Sequence, residues 1–79
     1  QRPFSGRLSP NPVSDECSIE ADAPFDKVLI FNSKGQQVAE WNFFSTQKQL
    51  LRVDQLPNGH YWVVLTGKTG SGVLNFEKM

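Results

Sequence analysis

Seventy-nine residues make one domain at most, and eight Lys and Arg balance eight Asp and Glu to leave no net charge. A chain this short buries only about 60% of the surface its unfolded form exposes, so its core is thin. The charge balance gives no electrostatic reason to expect nucleic acid or an anionic membrane surface as a partner. The longest charge-free apolar run, Tyr61–Leu65, is far shorter than the roughly 20 residues that span a bilayer. No basic segment followed by an apolar run opens the chain, so this piece is expected to hold no export signal; if the protein is exported, that signal lies upstream.

Six Phe, two Trp and one Tyr supply much of the expected core, since each aromatic buries on the order of 150–250 Å². Cys17 is the single cysteine, which rules out an intramolecular disulfide and a cysteine-based metal cage. It stands two residues before Ile19, in step with the inward face of a strand, and reads as a small buried hydrophobe.

In chain order, residues 1–9 follow neither a period of 2 nor one of 3.6 and read as a flexible linker or tail, in which the small side chains at Ser5 and Gly6 admit an extended conformation. Pro10–Asn11–Pro12 fixes two φ angles and makes a stiff lead-in to a domain expected over residues 10–79. Cys17, Ile19 and Ala21 alternate with Ser18 and Glu20 as a half-buried strand, which Asp22–Ala23–Pro24 is expected to end. Val28–Phe31 is an apolar run suited to a strand covered on both faces. Ser33–Lys34–Gly35 is a tight turn, with Gly35 where a positive φ costs nothing, and Gln37–Trp41 returns as the partner strand. Residues 42–48 read as a longer connection, and Gln49–Asp54 as a further strand. Leu56–Pro57–Asn58–Gly59 is a turn before Tyr61–Thr66. Gly67–Gly70 closes a last hairpin with Val73–Lys78. Six to seven short strands about 10 residues apart, with no helical period, predict an all-β fold: an immunoglobulin-like antiparallel β-sandwich.

Catalytic and metal chemistry find no footing in this pattern. His60 is the only histidine, and it follows a turn glycine where a strand-edge side chain should meet solvent. One His and one Cys cannot make a tetrahedral zinc site. Asp15, Glu16, Glu20, Asp22 and Asp26 read as solvated carboxylates, and Asp22 and Asp26 lack the regular spacing of a calcium loop. Gly67, Gly70 and Gly72 fall in a hairpin with no helix to follow, so they mark a turn and not a phosphate cradle. No enzyme, cofactor or metal is expected.

The most specific stretch is Leu56–Pro57–Asn58–Gly59–His60–Tyr61. In Greek-key sandwiches a tyrosine just after a tight turn hydrogen-bonds back to the preceding connection. Here Gly59 would allow close backbone approach, and Leu56 would plug the end of the core. Together with Leu8–Ser9–Pro10–Asn11–Pro12–Val13 and the strand–turn unit from Val28 through Gly35 to Val38, this stretch resembles the type A C-terminal sorting domain of the bacterial type IX secretion system. The likeness extends to a short last strand with a basic residue, Lys78, close to its end. It covers about residues 8–79. Cys17 stands where such domains usually carry a larger aliphatic residue, and Glu77 adds a charge to the final strand.

The resemblance implies a non-catalytic signal that directs a larger cargo across the outer membrane of Bacteroidetes-type bacteria. Its implied partners are the translocation machinery, a cargo domain on its N-terminal side, and a sortase-like peptidase that removes it, for which residues 1–9 would be the cleavage region, first around Ser5 and Gly6. The cargo would pass through the periplasm to the cell surface or the medium. Pro10, Asn11, Pro12, Gly35, Leu56, Gly59, Tyr61 and Lys78 are its expected frame and recognition residues. The final strand is expected to offer an open edge with Lys78 beside it, and edge strands of this kind provide a route to a homodimer. The alternative is an accessory sandwich of a secreted enzyme, either a spacer or a carbohydrate-binding module with Trp41, Phe43, Phe44 and Trp62 as an aromatic platform.

Overall fold

A period-2 burial pattern runs almost unbroken from Cys17 to Ile30: Cys17, Ile19, Ala21, Ala23, Phe25, Val28 and Ile30 are buried. That pattern produces one long strand where the sequence reading has two. The computed structural model describes Arg2–Met79. Its strands are β1 (Arg2–Pro3), β2 (Gly6–Ser9), β3 (Glu16–Asn32), β4 (Gln37–Arg52), β5 (Gly59–Thr66) and β6 (Gly70–Lys78), with no helix among the described residues.

The strands form one sheet in the order β1-β6-β5-β3-β2, with β4 paired to β3 as well. β4 follows β3 along both of its halves, from Glu16↔Arg52 to Phe31↔Gln37. On the opposite side of β3, β2 pairs with the first half (Gly6↔Ala21 to Ser9↔Ser18) and β5 with the second (Lys27↔Thr66 to Asn32↔Tyr61). Between those halves the β3–β4 register shifts at Glu20/Phe25 and Phe25/Lys27. Extra residues on one strand bend it and sharpen its twist, so the sheet curls on itself and encloses the buried side chains. β5 and β6 form the closing hairpin (Gly59↔Lys78 to Thr66↔Ser71), and β1 lies parallel to the start of β6.

The all-β, mainly antiparallel expectation therefore holds, with several local corrections. Asp22–Ala23–Pro24 does not end a strand. Pro24 lacks an N–H, but it sits inside the register shift, where the ladder is interrupted and no donor is required. Residues 42–48 are not a connection, because they lie within β4 beside Lys27 and Phe25. The run Val28–Phe31 is buried on one face only, with Leu29 and Phe31 half-buried on the other. Residues 1–9 are not an unpatterned linker over their described part, Gln1 lying outside the described residues. Phe4 is buried in the core, β2 pairs with β3, and the Asp22 N–H donates to the Ser5 carbonyl at 2.9 Å.

Candidate functional site

Four sequence elements far apart in the chain meet at one end of the curled sheet. The β5–β6 register sets Gly59 beside Lys78, and the β3–β5 register sets Asn32 beside Tyr61. The Pro10–Pro12 element joins them through Asn11, whose Oδ1 accepts a hydrogen bond from the Glu77 backbone N–H at 3.0 Å.

Tyr61 is the pivot. It begins the buried phase of β5, alternating with outward His60 and Trp62. Its ring stacks on Phe76 with centroids 5.3 Å apart, and its hydroxyl donates to the Pro57 carbonyl at 2.6 Å. This is the fold-back bond expected of a tyrosine that follows a tight turn. Leu56 is buried beneath it, and its N–H donates to the Val53 carbonyl at 3.0 Å. Gly59 has φ +152° and nothing within 4 Å of where a Cβ would stand. Its role is therefore backbone conformation, and the close approach expected there does not occur.

At the neighbouring corner Gly35 has φ +82°, and its N–H donates to the Asn32 carbonyl at 2.9 Å. The Asn32 side chain does most of the work in this turn: its Oδ1 accepts from the N–H groups of Lys34 and Gln36 at 2.9 and 3.0 Å. The sequence reading passed over Asn32, although an Asn opening a turn is a recognised signal for this self-bonding.

The Pro10–Asn11–Pro12 element places Val13 against the last strand. Both Ser9–Pro10 and Asn11–Pro12 are cis. Val13 is fully buried; its N–H donates to the Glu77 carbonyl at 2.8 Å, and its carbonyl accepts from Met79 N–H at 2.8 Å. Val13 is the second residue the sequence reading missed. An isolated valine after a proline has no periodic neighbours to reveal its burial.

Two expectations about the final strand change as a result. Lys78 does not stand beside an open edge: it is only 7% exposed, between Gly59 and Val13. The outer side of β6 is also covered at both ends, at Ser71 by Phe4 and at Glu77 by Asn11 and Val13.

The remaining singled-out residues fall as follows. Cys17 is buried, and desolvation, with Glu16 as a smaller cause, pushes its thiol up to about 11. The thiol is thus protonated and inert near neutrality. His60 lies across from Glu77, with Nδ1 3.4 Å from Oε1, and meets Trp62 edge-on at 5.4 Å. Among the described residues, no three His, Cys, Asp or Glu side chains gather where they could hold a metal ion. The aromatic platform does not assemble. Trp41 and Phe43 pack toward the core, Phe43 meeting Phe25 edge-on at 6.4 Å, whereas Phe44 and Trp62 point outward. Ser5 and Gly6 lie at the start of β2, with Ser5 N–H donating to Asp22 Oδ1 at 3.1 Å.

Comparison with known proteins gives a family and a fold. The family model described as the secretion system C-terminal sorting domain matches residues 7–76. Among solved structures, the sulfur carrier protein SoxY from Chlorobium limicola f thiosulfatophilum superposes with a TM-score of 0.57 at 13% identity. The match covers 92% of this chain and 76% of that one. At that identity the likeness is one of fold alone. No curated protein matches the chain.

Proposed function

The chain belongs to the secretion system C-terminal sorting domain family, and from that premise we propose that the end built around Tyr61 is the address its machinery reads. Membership makes the chain a C-terminal sorting signal for type IX secretion, directed toward the cell surface or extracellular space, in a family whose role is sorting and not catalysis. The observation that carries the proposal is the convergence of the family-like elements. Pro10–Pro12, the Gly35 turn, Leu56–Tyr61 and Lys78 are separate in sequence and adjacent in space.

Within that set the roles divide. Leu56, Tyr61 and Lys78 are buried and act as frame, while Pro10, Asn11, Pro12, Lys34, Gly35 and Asn58 are exposed and readable. The buried frame holds the exposed residues in one fixed arrangement, as a recognised surface requires. The curled sheet with its fold-back tyrosine serves as an immunoglobulin-like sandwich in this role. A cargo domain on the N-terminal side crosses the periplasm, and a sortase-like peptidase then separates it from the signal. A cut at Ser5–Gly6 needs the start of β2 to detach from β3, whereas separation N-terminal to β1 leaves the sheet intact. The domain accordingly includes β2, beginning before residue 10.

The test is a reporter fused to residues 1–79 in a host with the type IX machinery. Lys34→Glu combined with Asn58→Lys, both at exposed positions, should leave the melting temperature unchanged and stop export. Lys68→Glu, in the turn between β5 and β6 at the opposite end, should leave export intact. Equal export of both variants would move the address elsewhere.

A further inference from the structure

β4 borders the sheet, pairing over Gln37–Arg52 with β3 and with no other strand among the described residues. An unpaired strand edge presents N–H and C=O groups ready to pair with another chain, and proteins normally blunt such edges with charges, bulges, proline, short length or covering segments. β4 has no proline and is 16 residues long; it carries Glu40, Lys48 and Arg52, and its register with β3 shifts between Asn42 and Thr46. It also carries outward apolar side chains: Phe44 is 99% exposed, Leu50 62% and Val38 40%.

The outward residues of β4 are complementary to their own reversal about Phe44. Antiparallel pairing with a second copy in that register sets Phe44 opposite Phe44, Asn42 opposite Thr46, Glu40 opposite Lys48 and Val38 opposite Leu50. Every apolar residue then faces an apolar one, and each acid faces a base. Directly opposed pairs of these kinds stabilise a sheet, and like charges or mismatches oppose it. Neighbouring registers lose the match. Centring on Asn42 sets Val38 against Thr46 and Lys48 against Gln36, and centring on Thr46 sets Phe44 against Lys48 and Asn42 against Leu50. Glu40 accepts long hydrogen bonds from Gln37 and Asn42 at 3.4 and 3.3 Å and lies 3.9 Å from Lys27, all exposed contacts that a directly opposed Lys48 can replace.

We propose that this chain forms a two-fold symmetric dimer by antiparallel pairing of its β4 edges, centred on Phe44. The interface is isologous, so it closes at two copies. It is a β-augmentation in which main-chain bonds supply affinity, while Phe44, Glu40 and Lys48 set the register. Its centre, Phe44, lies apart from the Tyr61 end, while the Val38 side of β4 adjoins the Gly35 turn; the pairing does not rest on the sorting role.

Cross-linking and sedimentation of the 79-residue chain test it. Directly opposed residues of an antiparallel pair have Cα atoms about 4.5–5.5 Å apart, within the span of a disulfide. Phe44→Cys should therefore give a covalent dimer on mild oxidation. Val38→Cys alone should not, but mixed with Leu50→Cys it should. The wild-type chain, whose Cys17 is buried, and Lys68→Cys in the exposed turn serve as collision controls. In sedimentation equilibrium Glu40→Lys and Lys48→Glu should each weaken dimerisation about tenfold, two opposed pairs being lost per dimer. The double variant should restore it to within about twofold. A monomer at near-millimolar concentration overturns the proposal. So does cross-linking of Asn75→Cys in β6 in place of Phe44→Cys, or of Lys68→Cys as fast as Phe44→Cys. Export of the reporter fusion by an undimerised Glu40→Lys variant would leave the sorting role standing by itself.

Discussion

The outer side of β6 is held at both ends by residues from the beginning of the chain, while the outer side of β4 is held by none among those described. Phe4 donates to Ser71 at 2.7 Å and Val13 to Glu77 at 2.8 Å, whereas β4 turns Phe44, Leu50 and Val38 to solvent. The difference follows from where each strand sits. β6 pairs with β5 over eight positions, and its other side is reached by Phe4 at one end and by Asn11 and Val13 at the other. β4 pairs with β3 along most of its length and has no second neighbour among the described residues. The covered border is therefore β6, and the open one is the longer β4.

The contrast is broken most directly by paired deletions on the two borders. Phe76→Ala removes a fully buried ring stacked on Tyr61 and should cost about 3–5 kcal/mol, enough to unfold a small domain. Phe44→Ala should change stability by less than about 0.5 kcal/mol. Denaturant titration of the two variants reads this, and similar losses would mean that both borders are equally packed.

At the Tyr61 end, Gly59→Val places a β-branched residue at φ +152° and should cost about 1–3 kcal/mol. Because no atom lies within 4 Å of an added Cβ, the alanine variant reports backbone strain without a clash. Gly59→Ala should then be nearly as damaging in thermal melting.

A smaller effect sharpens the picture of the clamp. Asn11→Ala frees the Glu77 N–H and Tyr61→Phe frees the Pro57 carbonyl, each costing about 1 kcal/mol. Amide exchange separates them from a general loosening. Asn11→Ala should speed exchange at Glu77 while leaving Leu29, in the middle of the sheet, unchanged.

The smallest effect belongs to β2. Arg7 contacts Glu20 at 2.9 Å, and that hydrogen bond, followed by the guanidinium charge, lowers the Glu20 carboxyl below its ordinary 4.5. A lowered carboxylate pKa stabilises the fold above the ordinary value, and the contribution is lost as pH falls through the lowered one. The site is solvent-exposed, so salt should screen it. Wild type and Arg7→Ala should differ slightly at neutral pH and converge in acid. A gap that widened on acidification would contradict the pairing.

By itself the sequence determined the all-β character, the hairpin turn at Gly35, the turn before Tyr61, the inward phase of β5 and the burial of Cys17. Each of these is local: a period of 2, or a glycine and its neighbours, carries the physics within a few residues. The family-like elements were also legible as an ordered set along the chain. Tertiary structure alone decided that β3 runs through Pro24, since a proline is harmless only where the register has already slipped. It alone decided that Phe4, β2 and Val13 belong to the sheet, because segments of two to four residues are too short for a period and form only on a partner already in place. For the same reason the fate of Lys78 could not be read in advance. Whether a terminal strand presents an edge or is covered depends on which distant segment returns to it, and that is settled by the closing of the whole sheet.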